Sequence, residues 1–212
     1  YKLPDPIPAT FQGGFAGSIG VNVLSDVKGK RVWQNCLYEL DANGNATHVW
    51  TQWDKLFEGS DGPAPHRLRI SPYDPQKRIW VVNETFSEIY IFSNDMQTLL
   101  RTLGEKNVQG TDGKHFGKPQ DVAFLPDGRV LIADGLDNHR VMIMDKDLNY
   151  LGEVGSKGVG PGQFDGVHAL GVGPNGLVFA LDRSGGRINV FRTAKDPKTL
   201  DYVTNFPGFS LP

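Results

Sequence analysis

Short apolar runs, separated by turns that contain glycine and proline, recur along the chain. Residues 120–134 and 168–182 align without a gap: each has an apolar run, a Pro-Asp-Gly or Pro-Asn-Gly turn, and a second apolar run ending in aspartate. Such turns supply the positive φ that a tight hairpin requires. The pattern predicts paired antiparallel strands, because the runs are too short and too often interrupted for helices.

The pattern recurs with a period of roughly 40–50 residues, which is typical of a β-propeller. Each unit predicts four short strands, forming a blade whose two apolar faces are buried by neighbouring blades. In the upstream unit the strands are predicted at 66–70, 79–83, 88–92 and 99–104. We predict one all-β propeller domain over residues 1–212, with about four blades at approximately 14–60, 61–104, 105–155 and 156–205.

The two ends of the chain depart from the repeat. Apolar runs at 20–24, 31–33 and 36–41 predict three strands in a degenerate first unit, and the tail from Asp201 to Pro212 resembles the start of another unit. An open stack of blades exposes two apolar faces. The chain is therefore part of a longer propeller, closes with four blades, or associates with another chain, and the sequence leaves these alternatives open.

Composition narrows the class of partner. Hydrophobic residues make up 39% of the chain, charged residues 22%, and the net charge is −2. These values are ordinary for a globular protein and give no broad electrostatic reason to expect nucleic acid. No apolar run approaches the ~20 residues of a membrane helix. Because the sequence begins with Tyr1 rather than methionine, we expect a processed chain or a fragment, secreted or periplasmic.

The turns after the second strands carry a recognisable signature. Residues 134–141, Asp-Gly-Leu-Asp-Asn-His-Arg-Val, are similar to the signature of NHL repeats, and so are residues 83–89 and 182–188. Among NHL proteins, residues 59–191 resemble the peptidyl-α-hydroxyglycine α-amidating lyase domain. The resemblance includes the glycine-rich connectors at 110–119 and 158–164.

This resemblance implies a six-bladed propeller with zinc held in its central channel by three histidines. Each histidine opens the innermost strand of an alternate blade; His66 matches the first position, His168 the second, and Gln120 occupies the blade between them. Three protein ligands leave an open position for a substrate oxygen or water, as in catalytic zinc sites. The third histidine is expected beyond Pro212.

The resemblance also assigns roles near the channel. Arg183 falls at a family arginine position, where its guanidinium suits a substrate carboxylate. Leu68 falls where the family uses a backbone carbonyl to bind a structural calcium. The family tyrosine is replaced by Leu136, which has no polar group, and the family's early arginine has no counterpart in the shortened first blade.

Other polar residues of the repeat are predicted to be structural. Asp134 and Asp182 share one frame and are expected to cap turns and bond backbone groups, while Arg140 and Arg187 share another. Arg183 has no arginine counterpart in the other units, which favours a functional role.

The sequence leaves three functions open. The first is a lyase-like propeller that binds zinc and cleaves peptidyl-α-hydroxyglycine to a peptide amide and glyoxylate, with a peptide or small molecule at the channel mouth. The second is a non-catalytic NHL propeller that binds a protein or peptide partner or self-associates, which Leu136 favours. The third is a calcium-dependent lactonase-like propeller, although no set of channel-facing acidic and amide ligands is visible.

Overall fold

Three consecutive four-stranded antiparallel sheets form the centre of the computed structural model, which describes residues 22–25, 31–60, 62 and 65–209. Each sheet joins its strands in chain order, and we call the sheets the second, third and fourth blades. The second blade contains β5 (Arg67–Ile70), β6 (Ile79–Asn83), β7 (Glu88–Phe92) and β8 (Leu99–Gly104). The third contains β9 (Pro119–Phe124), β10 (Val130–Asp134), β11 (Arg140–Met144) and β12 (Tyr150–Val154). The fourth contains β13 (Val167–Val172), β14 (Leu177–Asp182), β15 (Arg187–Thr193) and β16 (Leu200–Pro207). The predicted all-β architecture of four-stranded antiparallel blades is confirmed.

The first blade differs from its prediction. Its described residues form two separate antiparallel pairs, β1 (Asn22–Ser25) with β2 (Arg31–Gln34) and β3 (Tyr38–Leu40) with β4 (Ala46–Val49), rather than three strands. The 3₁₀ helix η1 (Thr51–Leu56) explains the break, because Asp54 accepts the backbone N–H groups of Asn35 at 2.8 Å and Cys36 at 2.9 Å. That segment is therefore bonded to a helix instead of to a neighbouring strand. The predicted strand residues 20 and 21 lie outside the described residues.

The prediction for the tail was wrong. Strand β16 pairs with β15 along its whole length, from Arg187 opposite Pro207 to Thr193 opposite Leu200. The tail therefore completes the fourth blade as its outer strand and does not begin a new unit; residues 210–212 lie outside the described part. An outer strand is largely exposed, so its sequence lacks the apolar run that marks an inner strand.

The hairpin turns have the predicted backbone conformation. Gly128 has φ of 92°, and Asn175 and Gly176 have φ of 63° and 72° in the 3₁₀ turn η2 (Pro174–Gly176). Asparagine and glycine tolerate this left-handed region better than other residues do. These turns set the pairing register of the strands on either side. The register in turn fixes the positions of the residues that open the innermost strands.

The core lies between blades, as the nearly continuous apolar strands predict. In β6, Ile79 and Val81 pack toward the first blade, whereas Trp80 and Val82 pack toward the third. Strand β10 is likewise fully buried on both faces. In β14 only alternate residues are buried, and these face the third blade. Each inner strand is therefore held between its neighbours, which fixes the channel edge of β5, β9 and β13.

No helix within the described ranges is both long and apolar enough to cross a membrane, since η1 has six residues and η2 three.

Candidate functional site in the channel

His66, Gln120 and His168 stand at the same position of their blades, where the innermost strand enters the sheet. In the third blade the pairing shifts between Ala133 and Asp134, and the shift leaves Gln120 without an opposite residue. In the fourth blade a matching shift leaves His168 without one. Such a bulge turns a side chain away from the sheet face. These bulges, which the sequence pattern did not predict, take both residues out of the strand pairing. The Gln120 side chain is fully buried, and its Nε2 donates to the Lys118 carbonyl at 3.0 Å.

The structure brings His66 and His168 together. Their ring centroids are 5.0 Å apart and the ring planes are inclined at 80°. Two imidazoles bound to one tetrahedral zinc at about 2.0–2.1 Å have centroids about 5 Å apart. The spacing between alternate blades therefore fits two ligands of one metal ion.

Hydrogen bonding fixes the orientation of the His66 ring. Its Nδ1 lies 2.8 Å from the backbone oxygen of Gln120, so Nδ1 carries the proton and donates it. The other nitrogen, Nε2, lies 3.5 Å from Oε2 of Glu84. Metal-binding histidines commonly donate one N–H to a carbonyl in this way, which leaves the second nitrogen free to bind.

His168 is neutral at physiological pH. Its pKa is lowered to about 4, mainly by burial; the electrostatic interactions with His66, Arg183 and Arg67 act in the same direction, and that with Asp121 opposes them. A neutral imidazole is the form that binds a metal.

Glu84 is a site residue that sequence reasoning missed. It is buried, and burial raises the pKa of its carboxyl group, an effect that the charges of His66, Lys118 and Arg183 and a hydrogen bond from Gln120 oppose. Glu84 follows the residue that ends the second strand of its blade, and Arg183 follows the equivalent residue two blades later. The aligned repeats contained this signal, because an acid and a base occupy one frame in alternate blades.

Arg183 lies at this channel site with an unused donor. Its backbone N–H donates to the oxygen of Gly166 at 2.9 Å, which ties it to the segment before His168. Its side-chain Nε is buried and has no hydrogen-bond partner among the residues described. A guanidinium in this state suits an anionic ligand such as a carboxylate.

Leu136 packs beside the same segment. Its Cδ2 lies 3.6 Å from the place that a Cβ on Gly166 would take, and Ser184 lies on the same side. The residue at the family tyrosine position is thus near Arg183 but presents only hydrocarbon.

A buried carboxylate joins three blades beneath the site. Asp121 is fully buried and accepts two hydrogen bonds from the Arg69 guanidinium, at 2.9 and 2.8 Å. It also accepts the backbone N–H of Leu170 at 3.0 Å, and Arg67 lies 3.7 Å away. These contacts cross-link β5, β9 and β13 close to the two histidines, and so hold the channel edges in place.

The NHL signature residues of the third and fourth blades form a hydrogen-bonded latch at the end of the blade, as predicted. Oδ1 of Asp182 accepts backbone N–H groups from Asp165, Gly166 and Gly185, while its Oδ2 accepts Nε of Arg187 at 3.0 Å. The third blade repeats the arrangement with Asp134, which accepts the N–H of Gly117 at 2.7 Å and Nε of Arg140 at 2.9 Å. The structural roles predicted for these aspartates and arginines are confirmed.

The third zinc ligand and the calcium site stay predictions. No three His, Cys, Asp or Glu side chains in the described part of the chain are arranged, as they stand, to hold a metal ion. Leu68 lies in β5 opposite Val81, half-buried, with its side chain against the core between the first two blades. A calcium bound to its carbonyl stays a prediction.

A surface cleft lies away from the channel. It has a volume of about 690 Å³ between the second and third blades, where Arg101, His115 and Tyr150 contribute to its wall. None of the channel residues lines it.

The comparisons with known proteins agree with this architecture. The NHL repeat profile matches residues 116–143. A probable peptidyl-α-hydroxyglycine α-amidating lyase of Caenorhabditis elegans is 30% identical over 146 residues, which are 68% of this chain and 41% of that protein. The peptidyl-glycine α-amidating monooxygenase A of Xenopus laevis is 35% identical over 133 residues, covering 60% of this chain and 14% of that protein. The chain thus spans less than half the length of these relatives.

A solved structure supports the fold alone. A Bacteroides caccae protein of unknown function superposes with a TM-score of 0.53 at 16% identity, over 89% of this chain and 70% of that one. Taken with the latches and the sequence relatives, the blades lead to one conclusion. The chain is an NHL-repeat β-propeller protein that resembles the peptidyl-α-hydroxyglycine α-amidating lyases.

Proposed function

We propose that this chain binds zinc in its channel through His66 and His168 and acts as a lyase on peptides that end in α-hydroxyglycine. The observation that carries the proposal is the 5.0 Å separation of the two imidazole rings, which come from alternate blades. The bond from His66 Nδ1 to the Gln120 carbonyl supports it, because it presents Nε2 as a ligand. The relatives named for this activity supply the substrate class.

Arg183 would bind and orient the substrate. The reaction breaks the C–N bond of the α-hydroxyglycine: the hydroxyl loses its proton, the carbon becomes the aldehyde of glyoxylate, and the nitrogen takes up a proton to give the peptide amide. A bound zinc supplies Lewis-acid polarisation of the substrate hydroxyl. The buried, unpaired Nε of Arg183 offers a partner for the substrate carboxylate next to His168. Leu136 contributes an apolar wall and takes no part in proton transfer.

A non-catalytic scaffold is the second candidate, and Leu136 favours it. In this case the propeller binds a peptide or protein at the channel mouth, and the latches keep the blades rigid. The metal, the partner and secretion all stay predictions under either function.

Release of glyoxylate from a short peptide ending in α-hydroxyglycine distinguishes the two functions. We expect release that depends on added zinc, is lost in His66→Ala, and is strongly reduced in Arg183→Lys. Arg192→Lys is the matched control, because Arg192 is exposed on β15, outside the channel. Leu136→Tyr is expected to increase turnover. If the zinc-loaded chain binds the peptide but releases no glyoxylate, even with Leu136→Tyr, the lyase proposal is wrong and the scaffold stands.

A further inference from the structure

Arg67, which opens strand β5 directly after His66, is a second guanidinium at the channel site. We propose that Arg67 and Arg183 together bind the terminal carboxylate of a peptide ligand. The inference rests on the proposed function in one respect, the assignment of Arg183 to the substrate carboxylate. It needs no metal, and it applies to the lyase and to the peptide-binding scaffold alike.

The guanidinium of Arg67 has a donor without a partner. Its Nε is buried and makes no hydrogen bond to any residue that the structure describes. The acid beside it, Asp121, has its Oδ1 3.7 Å from this nitrogen, which is beyond hydrogen-bond distance. The Arg67 side chain is nevertheless 26% exposed, so a ligand can reach it. A buried charged donor without a partner is costly, and a bound anion would remove that cost.

Asp121 cannot take up the Arg67 donor, because its acceptor positions are already used. A carboxylate accepts about four hydrogen bonds. Oδ1 of Asp121 accepts Nε of Arg69 and the backbone N–H of Val122, both at 2.9 Å. Oδ2 accepts Nη2 of Arg69 at 2.8 Å and the backbone N–H of Leu170 at 3.0 Å. Asp121 and Arg69 therefore form a complete pair, and Arg67 is left for another acceptor.

Arg67 and Arg183 lie near the same imidazole although they belong to alternate blades. Arg67 is the first residue of β5, and Arg183 follows the last residue of β14. The charges of both act on His168, whose ring centroid lies 5.0 Å from that of His66. Nε of Arg183 is buried and unpaired in the same way as Nε of Arg67. The planar fork of a guanidinium matches the two oxygens of a carboxylate, so two such forks near one point suit this group.

The charges around the two arginines call for one negative charge. Two neighbouring pairs are already matched, namely Arg69 with Asp121 and Lys118 with Asp137. Arg67 and Arg183 then stand against Glu84, on which the charge of Arg183 acts. Two guanidinium groups and one carboxylate leave one positive charge uncompensated. A ligand with a single carboxylate balances it.

A matched pair of peptides tests the inference. One short peptide ends in the free carboxylate of glycine, and the other has the same sequence with a terminal amide; neither carries the α-hydroxyl group of the lyase substrate. Calorimetry measures the affinity of each for the whole chain, freed of metal on a chelating resin so that the carboxylate cannot bind an ion instead. We expect the unmodified chain to bind the carboxylate peptide at least about 10-fold more tightly, since hydrogen bonds between charged groups carry about 10- to 100-fold in affinity.

Arg67→Gln is expected to bring the two affinities within about threefold of each other, and Arg183→Gln to do the same. Because both arginines hold one group, the double variant should lose little more than either single variant. Arg192→Gln is the matched control, since it removes the same charge from the exposed part of β15 and should keep the preference. Single losses that multiply in the double variant would assign the arginines to different groups of the ligand and overturn the inference.

The outcomes separate this inference from the proposed function. If the unmodified chain binds neither peptide, or both equally, the assignment of Arg183 fails and the role of Arg67 fails with it. If Arg183→Gln loses the preference and Arg67→Gln keeps it, only the inference is overturned, and Arg67 is structural. Circular dichroism establishes that each variant is folded. Should Arg67→Gln not fold, the comparison uses Arg67→Lys, which keeps the charge without the fork; an unchanged preference in that variant would also overturn the inference.

Discussion

Replacing Asp182 with asparagine is expected to destabilise the fourth blade strongly. The carboxylate is fully buried, and its Oδ1 accepts N–H groups from Asp165 at 2.9 Å and Gly166 at 2.8 Å. Its Oδ2 accepts Nε of Arg187 at 3.0 Å. Asparagine keeps one acceptor but turns an amide N–H₂ toward the Arg187 donor, and it leaves the buried guanidinium without its counter-charge.

The magnitude follows from breaking a buried ion pair by changing one partner, which costs about 3–5 kcal/mol. Arg187 keeps carbonyl partners at Gly158 and Gln163, at 3.1 and 2.8 Å, so the lower half of that range is expected. For a chain of this size the loss lowers Tm by about 10 °C.

Thermal unfolding followed by circular dichroism measures the loss. Asp165→Asn is the matched control, because that neighbouring residue is exposed and gives the latch only its backbone N–H. A change in Tm within about 2 °C for Asp182→Asn, similar to that of the control, would refute the account of the latch.

Two further predictions concern the contact between the third and fourth blades and the pH response. Gly135→Ala is expected to cost about 3 kcal/mol in the free energy of unfolding, because its Cβ would overlap the Val167 carbonyl oxygen. Gly171→Ala should cost far less in urea unfolding, because its Cβ would meet only Phe179 Cβ at 4.0 Å, an ordinary contact distance; equal losses contradict the packing argument. In the metal-free protein the pKa of His168 is lowered to about 4, whereas it is about 6.5 in the unfolded chain. The free energy of unfolding therefore has its full value above pH 6.5. It falls by about 2 kcal/mol, after allowance for partial exposure, as the pH drops toward 4. Urea unfolding at several pH values should show that His168→Gln flattens this dependence, and an unchanged slope would mean that other groups cause it.

The repeat was predictable because the geometry of a blade requires particular residue types at its turns and in its buried strands. Turn residues such as Gly128 and Asn175 mark the hairpins, and strands β6 and β10 are apolar up to their last residue because both of their faces are buried. The first blade was not predictable in the same way. There, Asp54 in η1 accepts backbone hydrogen bonds from Asn35 and Cys36, which lie 19 and 18 positions earlier in the chain. The pattern of apolar residues does not reveal such a contact.

The channel site was predictable only in part. The common frame of His66 and His168 indicated that their rings could meet, and the structure gives the 5.0 Å separation. The bulge that frees His168 from the β13 ladder depends on pairing with β14, so it is not visible in one strand alone. Glu84 was overlooked although the aligned repeats place it in the frame of Arg183, because its contact with His66 at 3.5 Å is visible only in the structure.

Zinc stoichiometry tests the central claim most directly. The purified chain is loaded with Zn²⁺, dialysed and measured by elemental analysis, beside a His66→Gln/His168→Gln variant that places in both blades the residue already present at Gln120. We predict about one zinc per unmodified chain and none in the folded double variant. Equal zinc in both, or none in either, would contradict a metal site shared by the two imidazoles.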